Sequence, residues 1–565
     1  MIDRKIKTDV LVIGGGGGGL RAAVAAHDAG AKVLVLSKGI VGKSGLTQTA
    51  VTGFQVALGY ADSRDNPAVH YADSMKGSYG LADAELVEIF TREGIDAFKD
   101  IEDFGARFDR DSEGSLIQRK LDSSQTYARS VKKGDALGTP IMQALRRQIN
   151  KRKIGRLHEV FVTEILKDGE KVAGAVGLDF RTGEILQIKA GAIIIAAGGA
   201  GELFPVNSNT PDSTGDGYVI ALEAGADLVD MEFILMLGHA VLYPRTVRGV
   251  LFTFQYLLSK GARQLYNSDG ETFLSKYDPE GSNNPARHIY ARAIYGEVRA
   301  GRGSLHGGAY FDPGSVSEET LLESLPSQTK YLESFGVDMT KPLEVGVAAH
   351  YMCGGIQIDA DAQSTLKGLF AVGEVSGGPH GGGRIGGNSL TEILVFGKRA
   401  GNAAADVALT QGEVSIDLKQ AKTASNSLLK HLKGERNGKR PNEIKENLQE
   451  IMNQNVGVVR NENGLKSAVK GIKQIISTDL NEMSLSNRER VANYDWIEAL
   501  EVSFMLRLGQ VLAGAAMMRT ESRGAHYRED FPKQNDSEWL KNILIRKKNE
   551  VLEFEPKPAN KWQFG

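Results

Sequence analysis

Cysteine is almost absent: Cys353 is the single thiol in 565 residues. One thiol cannot close an internal disulfide, and it cannot hold an iron–sulfur cluster, which takes about four thiolates. Proline is sparse, at 15 residues against 67 glycines. The glycine therefore serves tight turns and close backbone approach, not a disordered linker. Net charge is only −2, which removes the electrostatic case for a nucleic-acid partner. No uninterrupted apolar run reaches the roughly 18 residues of a membrane span. The opening MIDRKIKTDVLVIG lacks signal-peptide architecture, because its apolar stretch leads straight into glycines. These absences predict a water-soluble, cytoplasmic chain with roughly two to four packed regions.

What is present is concentrated near the start. Val10, Leu11, Val12 and Ile13 form a continuous apolar run, as in a strand buried on both faces. Six glycines follow, then LRAAVAAHDAG, a helical pattern ending at Gly30, then the second apolar strand KVLVLS. Strand, glycines, helix and strand make a βαβ unit. Gly14, Gly16 and Gly19 place G-x-G-x-x-G at the strand end, where a tight turn and a pyrophosphate close to the backbone both require glycine. The second strand ends in Ser37-Lys38 and not in the acidic residue of an NAD site. AIIIAAGGAG (192–201) again runs a strand into glycines and is followed by TGDG (214–217). Two such segments point to a long cofactor such as FAD. His27, near the end of the first helix, reads as structural.

Three further motifs are more specific: HYMCGG from His350, GRIGGNSL from Gly383, and ESRGAHYREDF from Glu521. With the glycine signals they resemble the flavoprotein subunit family of succinate dehydrogenase, fumarate reductase and L-aspartate oxidase, with adenylylsulfate reductase more distant. The resemblance covers nearly the whole chain. It implies an α/β fold in which an FAD-binding Rossmann-like domain is split by an inserted α+β capping domain and followed by a C-terminal helical domain. The corresponding bounds are 1–235 and 345–405 for the two FAD-binding parts and 236–344 for the cap. Residues 406–515 form the helical domain and 516–565 a C-terminal tail. Trp496, Leu500, Phe504 and Leu508 lie four apart and mark one buried helical face. The charged run 433–446 reads as a solvated loop between helices. Cys353 reads as a packing residue.

Carried over by motif, Gly14, Gly16, Gly19, Ser37, Lys38, Ser44, Asp216, Glu374, Asn388 and Ser389 are expected to line FAD. Gly45 stands where many family members have a histidine linked covalently to the flavin, so noncovalent FAD is expected. His350 and Arg384 match residues that hold a substrate carboxylate, a task suited to an arginine fork beside a histidine donor. Arg287 matches the family's proton donor or acceptor. No metal site is expected.

Two motifs depart from the family. T-E-x-x-R reads Ser259-Lys260-Gly261-Ala262-Arg263, so hydroxyl and arginine remain while the relay glutamate is lysine. Q-F-H-P-T reads Leu235-Met236-Leu237-Gly238-His239, so the histidine for a second carboxylate is Leu237, with His239 two residues on. The expected activity is hydride exchange between flavin and a carboxylate-type substrate, interconverting saturated and α,β-unsaturated acids, with Arg263 and Ser259 in support. A second carboxylate facing an apolar wall is penalised, so succinate and fumarate are not the expected pair. Electrons are expected to pass to or from an iron–sulfur partner. The alternatives are an L-aspartate oxidase-like or adenylylsulfate reductase-like enzyme, and a non-catalytic flavin relay within a larger complex.

Overall fold

The computed structural model describes residues 2–51, 53–121, 124–258, 260–278, 287–314, 316–433 and 438–559. Its centre is a parallel sheet of five strands, in the order Leu369–Ala371, Ala192–Ile195, Val10–Ile13, Val33–Leu36 and Gly155–Leu157. Val10, Leu11 and Val12 are wholly buried, which is why that strand carries no polar alternation. The glycine helix Gly17–Asp28 packs along Asn388–Thr410, the long helix following GRIGG. The approach is close enough that a Cβ on Gly401 would lie 2.3 Å from the Ala22 carbonyl oxygen. A second sheet, partly antiparallel, joins Arg4–Lys7, Glu184–Lys189, Lys171–Asp179 and Val160–Asp168.

The capping region leaves and rejoins this body through one antiparallel pair, Ile234–Val241 with Leu343–Met352. The pairing is bulged between Leu237 and Ala240. The cap has its own apolar cluster, including Phe252, Phe254, Tyr290 and Phe311. Helix Arg287–Arg299 lies against the strand where Gly238 leaves room: a Cβ there would sit 2.9 Å from the Tyr290 backbone carbon. That contact carries Arg287, the first residue of the helix, to the strand's bulged end.

The remaining helices are Leu418–Lys430, Pro441–Asn455, Glu462–Ser477 and Tyr494–Met518. Trp496, Leu500 and Leu508 are buried, while Phe504 is half-buried against Phe161. Burial extends around several faces of Tyr494–Met518, beyond the expected single stripe, because the helix runs through the centre of its domain. By length and composition it is long and apolar enough to cross a membrane, but most of that surface is packed inside the protein. Of the expected loop 433–446, residues 434–437 lie outside the described residues, and 441–446 are helix instead. A helix starts at Pro441, where proline suits the first turn and the Glu443 side chain accepts from the Arg440 N–H.

The C-terminal residues fold back as a hairpin, Lys541–Lys548 and Val551–Pro558, which pairs with Leu228–Val229. Buried arginines tie the end of the chain to the base of the cap. Arg519 Nε donates to Glu232 Oε1 at 2.7 Å, and Arg460 Nη1 donates to the Glu232 carbonyl at 2.7 Å. His526 Nδ1 accepts from Arg460 at 2.6 Å. Removing one partner of such a buried pair costs about 3–5 kcal/mol, so Glu232 is firmly held two residues before the Ile234 strand.

Candidate active site

A cleft of about 1680 Å³, including solvent at its mouth, runs along the carboxyl ends of the parallel strands and under the cap. Ligands of open α/β sheets occupy this position. Four of the five strands contribute at or just beyond their C-terminal ends: Gly14, Ser37, Ala196 and Gly373 all line it.

The glycines divide the work. Gly14 has φ +120°, and a Cβ on it would lie 2.0 Å from the Ala196 carbonyl oxygen. Gly16 caps the helix, and Gly14 to Gly18 form cleft wall. The first helical N–H groups face the cleft end, with that of Gly17 donating to Thr47 Oγ1 at 3.2 Å. The free N–H groups and the positive helix end suit a pyrophosphate. Gly19 is not in the wall. A Cβ there would lie 2.1 Å from the Gly14 carbonyl oxygen, so it serves helix-to-strand packing.

Ser37, Lys38, Ser44, Gly45, Asp216, Glu374 and Ser389 all line the cleft. Ser44 Oγ accepts from the Ile40 N–H at 2.7 Å, and Gly45 has φ +88° with open space where a Cβ would stand. Lys38 donates to Thr214 at 2.6 Å and pairs with Asp216 at 3.3 Å and Glu501 at 2.8 Å. Burial pulls its ammonium down, but these carboxylates outweigh that and hold it above the usual lysine range. Sequence reading missed Glu501, which joins the cleft to the helical domain. Glu374 is buried, and its carboxyl is pushed up to about 7 by burial, against the Met352 N–H that it accepts at 2.9 Å. Near neutrality such a group can donate to or accept from a ligand hydroxyl. Asn388 is a correction. It is buried and does not line the cleft: its Oδ1 accepts from His70 Nε2 at 2.9 Å and its Nδ2 donates to Ser74 Oγ at 2.9 Å. It pins the helix start so that its neighbour Ser389 faces inward. The wall thus fits FAD on its own geometry: Cβ-free backbone, a helix N-terminus and a buried carboxylate.

At the cap end, the cleft brings His350, Arg384 and Arg287 together. Arg384 Nη1 donates to the Ile385 carbonyl and Ser389 Oγ, each at 3.3 Å, and its guanidinium lies 4.1 Å from the Tyr351 ring centre. Arg384 Nη2 lies 3.4 Å from His350 Nε2, and His350 Nδ1 lies 2.8 Å from Ser208 Oγ. Facing an arginine, Nε2 accepts, which puts the proton on Nδ1 for Ser208. Burial and then the charges of Arg384 and Arg287 hold this imidazole well below its usual pKa. Arg287 lies over the same loop: a Cβ on Gly386 would sit 2.2 Å from its Nη2. The cleft lining also includes Leu237, His239, Leu251, Thr253 and Gln255. It is therefore less apolar than LMLGH alone suggests.

The T-E-x-x-R counterpart is not assembled here. Arg263 is 59% exposed in its side chain, pairs with Asp312 at 3.4 Å and does not line the cleft. Lys260 is exposed, and Ser259 lies outside the described residues. Ser208, Thr253 and Gln255 are cleft residues that no sequence signal picked out, and Tyr351 stands inside HYMCGG without being singled out there. His239 was visible only as the residue two beyond Leu237, which on a strand shares its face.

Two family models match the chain: an FAD binding domain over residues 9–390 and the fumarate reductase flavoprotein C-terminal domain over 445–564. A fumarate reductase (CoM/CoB) polypeptide of Methanothermobacter marburgensis is 38% identical over 544 residues, 96% of this chain and 97% of that protein. The chain belongs to the fumarate reductase and succinate dehydrogenase flavoprotein family. Among solved structures, Sdh1 of Mycobacterium smegmatis in complex with UQ1 superposes with a TM-score of 0.90 at 33% identity, covering 99% of this chain and 95% of that one. A quinol fumarate reductase chain of E. coli gives 0.91 at 28%, covering 100% and 98%. Membership makes the chain an FAD-dependent oxidoreductase with the expected split domain, cap and helical domain.

Several buried histidines set the acid limit of this architecture. His70, His239 and His380 are each pushed down to about 3, first by burial. Their folded values lie below the unfolded value near 6.5, so the unfolded chain binds more protons between about 6.5 and 3. Stability therefore falls as pH falls through that window. Each histidine contributes a slope of about 1.4 kcal/mol per pH unit. Denaturant titrations from pH 6.5 to 5 will show falling stability, and His70→Gln will reduce the slope by one proton's worth. A slope unchanged in His70→Gln would contradict the neutral burial of that ring.

Proposed function

We propose that this chain interconverts a saturated acid and its α,β-unsaturated partner, gripping one carboxylate with Arg384 and His350. The clustering of those residues with Arg287, in a cleft continuous with the glycine cradle, carries the reading. FAD, when bound, supplies the two-electron exchange. Arg384 offers a planar fork to the two carboxylate oxygens, fixed beforehand by Ser389, Ile385 and the Tyr351 ring. His350 is oriented by Ser208 to meet the same carboxylate and becomes a donor if protonated with it. Together they stabilise charge that builds on the carboxylate as the neighbouring carbon reacts. Arg287, reaching over the Gly386 loop from the start of its helix, is placed to hold or deliver a proton at that carbon. Arginine does this only in a dry site with a partner for its proton.

Gly45 offers the flavin no linking side chain, which supports noncovalent attachment. Cys353 is the single thiol and is buried, which leaves this chain no cluster of its own; by family resemblance an iron–sulfur subunit exchanges the electrons. The large cleft at the arginines counts against a non-catalytic relay.

The test is anaerobic, with the flavin-loaded chain and a reduced viologen dye. Adding an α,β-unsaturated acid will reoxidise the dye, and the saturated acid will not. Silence across a panel of unsaturated mono- and dicarboxylic acids would refute the reading.

A further inference from the structure

One helix of the cap does not supply its own N-cap. Helix Pro326–Ser334 begins after Leu325, which offers its first turn no side-chain hydrogen bond. Leu325 is instead buried in the cap's apolar cluster. Leucine is among the poorest residues for that place, because the first N–H groups of a helix need an oxygen. Proline at the first position has no N–H to satisfy, so Ser327 and Gln328 carry the open donors. Asp135 takes both. Its Oδ1 accepts from the Ser327 N–H at 2.9 Å, and its Oδ2 accepts from Ser327 at 3.1 Å and from Gln328 at 2.8 Å. Asp135 is 2% exposed and stands 192 residues before Ser327, in the flavin-binding body.

Both ends of this link reach the cleft. Asp135 shortly precedes helix Gly138–Lys151, whose Gly138 N–H donates to the Ala50 carbonyl at 2.9 Å, and Ala50 is cleft wall. On the cap side, the Gln328 side chain grips Thr253. Its Oε1 accepts from the Thr253 N–H at 2.9 Å, and its Nε2 donates to Thr253 Oγ1 at 3.0 Å. Gln328 and Thr253 are both buried, so the amide fixes backbone and hydroxyl together. Leu251, Thr253 and Gln255 are alternate residues that all line the cleft, and Phe254 between them stacks on His239 at 4.7 Å. A run of hydrogen bonds therefore leads from the flavin wall, through the end of a cap helix, to the cap's own stretch of cleft wall.

We propose that Asp135 and Gln328 are positioning residues: Asp135 seats the cap on the flavin-binding body, and Gln328 carries that seating to Thr253 and the cleft wall around it. This rests on the carboxylate-gripping reading above, which places the acid at the cap end of the cleft. The helix end keeps its carboxylate partner only while the cap is seated, so opening the cleft costs a helix cap. Neither residue lines the cleft, and each acts through the wall it holds.

The test is steady-state kinetics on the flavin-loaded chain, with a reduced viologen as donor and fumarate as acceptor, or crotonate where fumarate is not reduced. Loss of a helix cap lowers the seated-to-open ratio about 2- to 30-fold. Asp135→Ala should therefore raise KM about fivefold or more while kcat stays within about twofold, because bound acid draws the cap shut again. Asp135→Asn keeps an acceptor oxygen and should recover most of that rise. Gln328→Leu should lower kcat as well, by about fivefold, because Thr253 stays loose even in the closed cleft. Amide hydrogen exchange over 326–334 should quicken in Asp135→Ala and slow again on adding fumarate, a return that a purely structural cap would not show. An unchanged KM in Asp135→Ala with its flavin retained would overturn the proposal, and so would quickened exchange that the acid does not reverse. If Asp135→Ala fails to fold, the other two variants decide, and unchanged kcat/KM in both would overturn it. Reduction of neither acid by the unaltered chain would instead overturn the carboxylate reading, and the seating of the cap would then stand or fall on the exchange of acid-free Asp135→Ala.

Discussion

Arg384→Ala will lower kcat/KM for the acid by about two to three orders of magnitude while leaving the flavin content intact. The magnitude follows from how the side chain is held. Its guanidinium is fixed at three points, Ser389, Ile385 and the Tyr351 ring, before any ligand arrives. A preorganised charged donor aimed at developing charge is worth about 10²–10³ in rate when removed. Two charge-assisted hydrogen bonds of about 1.5–3 kcal/mol each are consistent with that range. Arg384→Lys restores the charge but not the fork, so it should recover a minor part of the loss. The flavin cradle lies mainly in other segments, so the flavin-to-protein absorbance ratio should stay near that of the unaltered chain. A fall of less than tenfold in Arg384→Ala, with flavin retained, would show that the carboxylate is held elsewhere.

Gly14→Ala will empty the flavin site. The added Cβ would stand 2.0 Å from the Ala196 carbonyl oxygen, and both atoms belong to backbone. Neither can move without parting the strands Val10–Ile13 and Ala192–Ile195, which are paired from end to end. The residue also sits at φ +120°, which alanine rarely adopts. Flavin occupancy in the purified variant should drop below about a tenth, with a lowered melting temperature. Gly45→Ala is the control. Its φ is also positive, at +88°, but no atom lies within 4 Å of the added carbon. Its cost is the backbone term alone, about 1–3 kcal/mol for the φ 88°, ψ 165° conformation, and the flavin should remain. Stoichiometric flavin in Gly14→Ala would show that the glycine run is not the cradle.

The parts of this fold legible in sequence were those set by local pattern. Val10–Ile13 reads as a doubly buried strand because nothing polar interrupts it, and the glycines that follow permit only a turn into a helix. His350 and Arg384 were legible because each sits in a motif of its own. The rest depended on distant partners. Lys38 reads as a cofactor contact, but its charge is matched by Glu501 from the far end of the chain. Asn388 belongs to a motif that reaches the cleft, yet its amide is taken by His70 and Ser74, and its neighbour carries the inward face. Arg263 keeps its spacing but turns outward to Asp312, and no sequence rule fixes the rotamer of a loop arginine. LMLGH reads as apolar by composition. The aromatic clamp from Phe254 and Tyr290, which holds His239 against the cleft, comes from segments of the cap that composition cannot place.

The Glu232 anchor bears on how this protein is made. The strand that carries Leu237 and His239 emerges from the ribosome well before Arg460 and Arg519, the residues that bind Glu232 at its base. A nascent chain can close its central sheet around flavin while the substrate side of the cleft is still unfastened. Fastening of the substrate-side strand is thus among the last contacts made during synthesis, and Lys38 on the flavin wall likewise waits for Glu501.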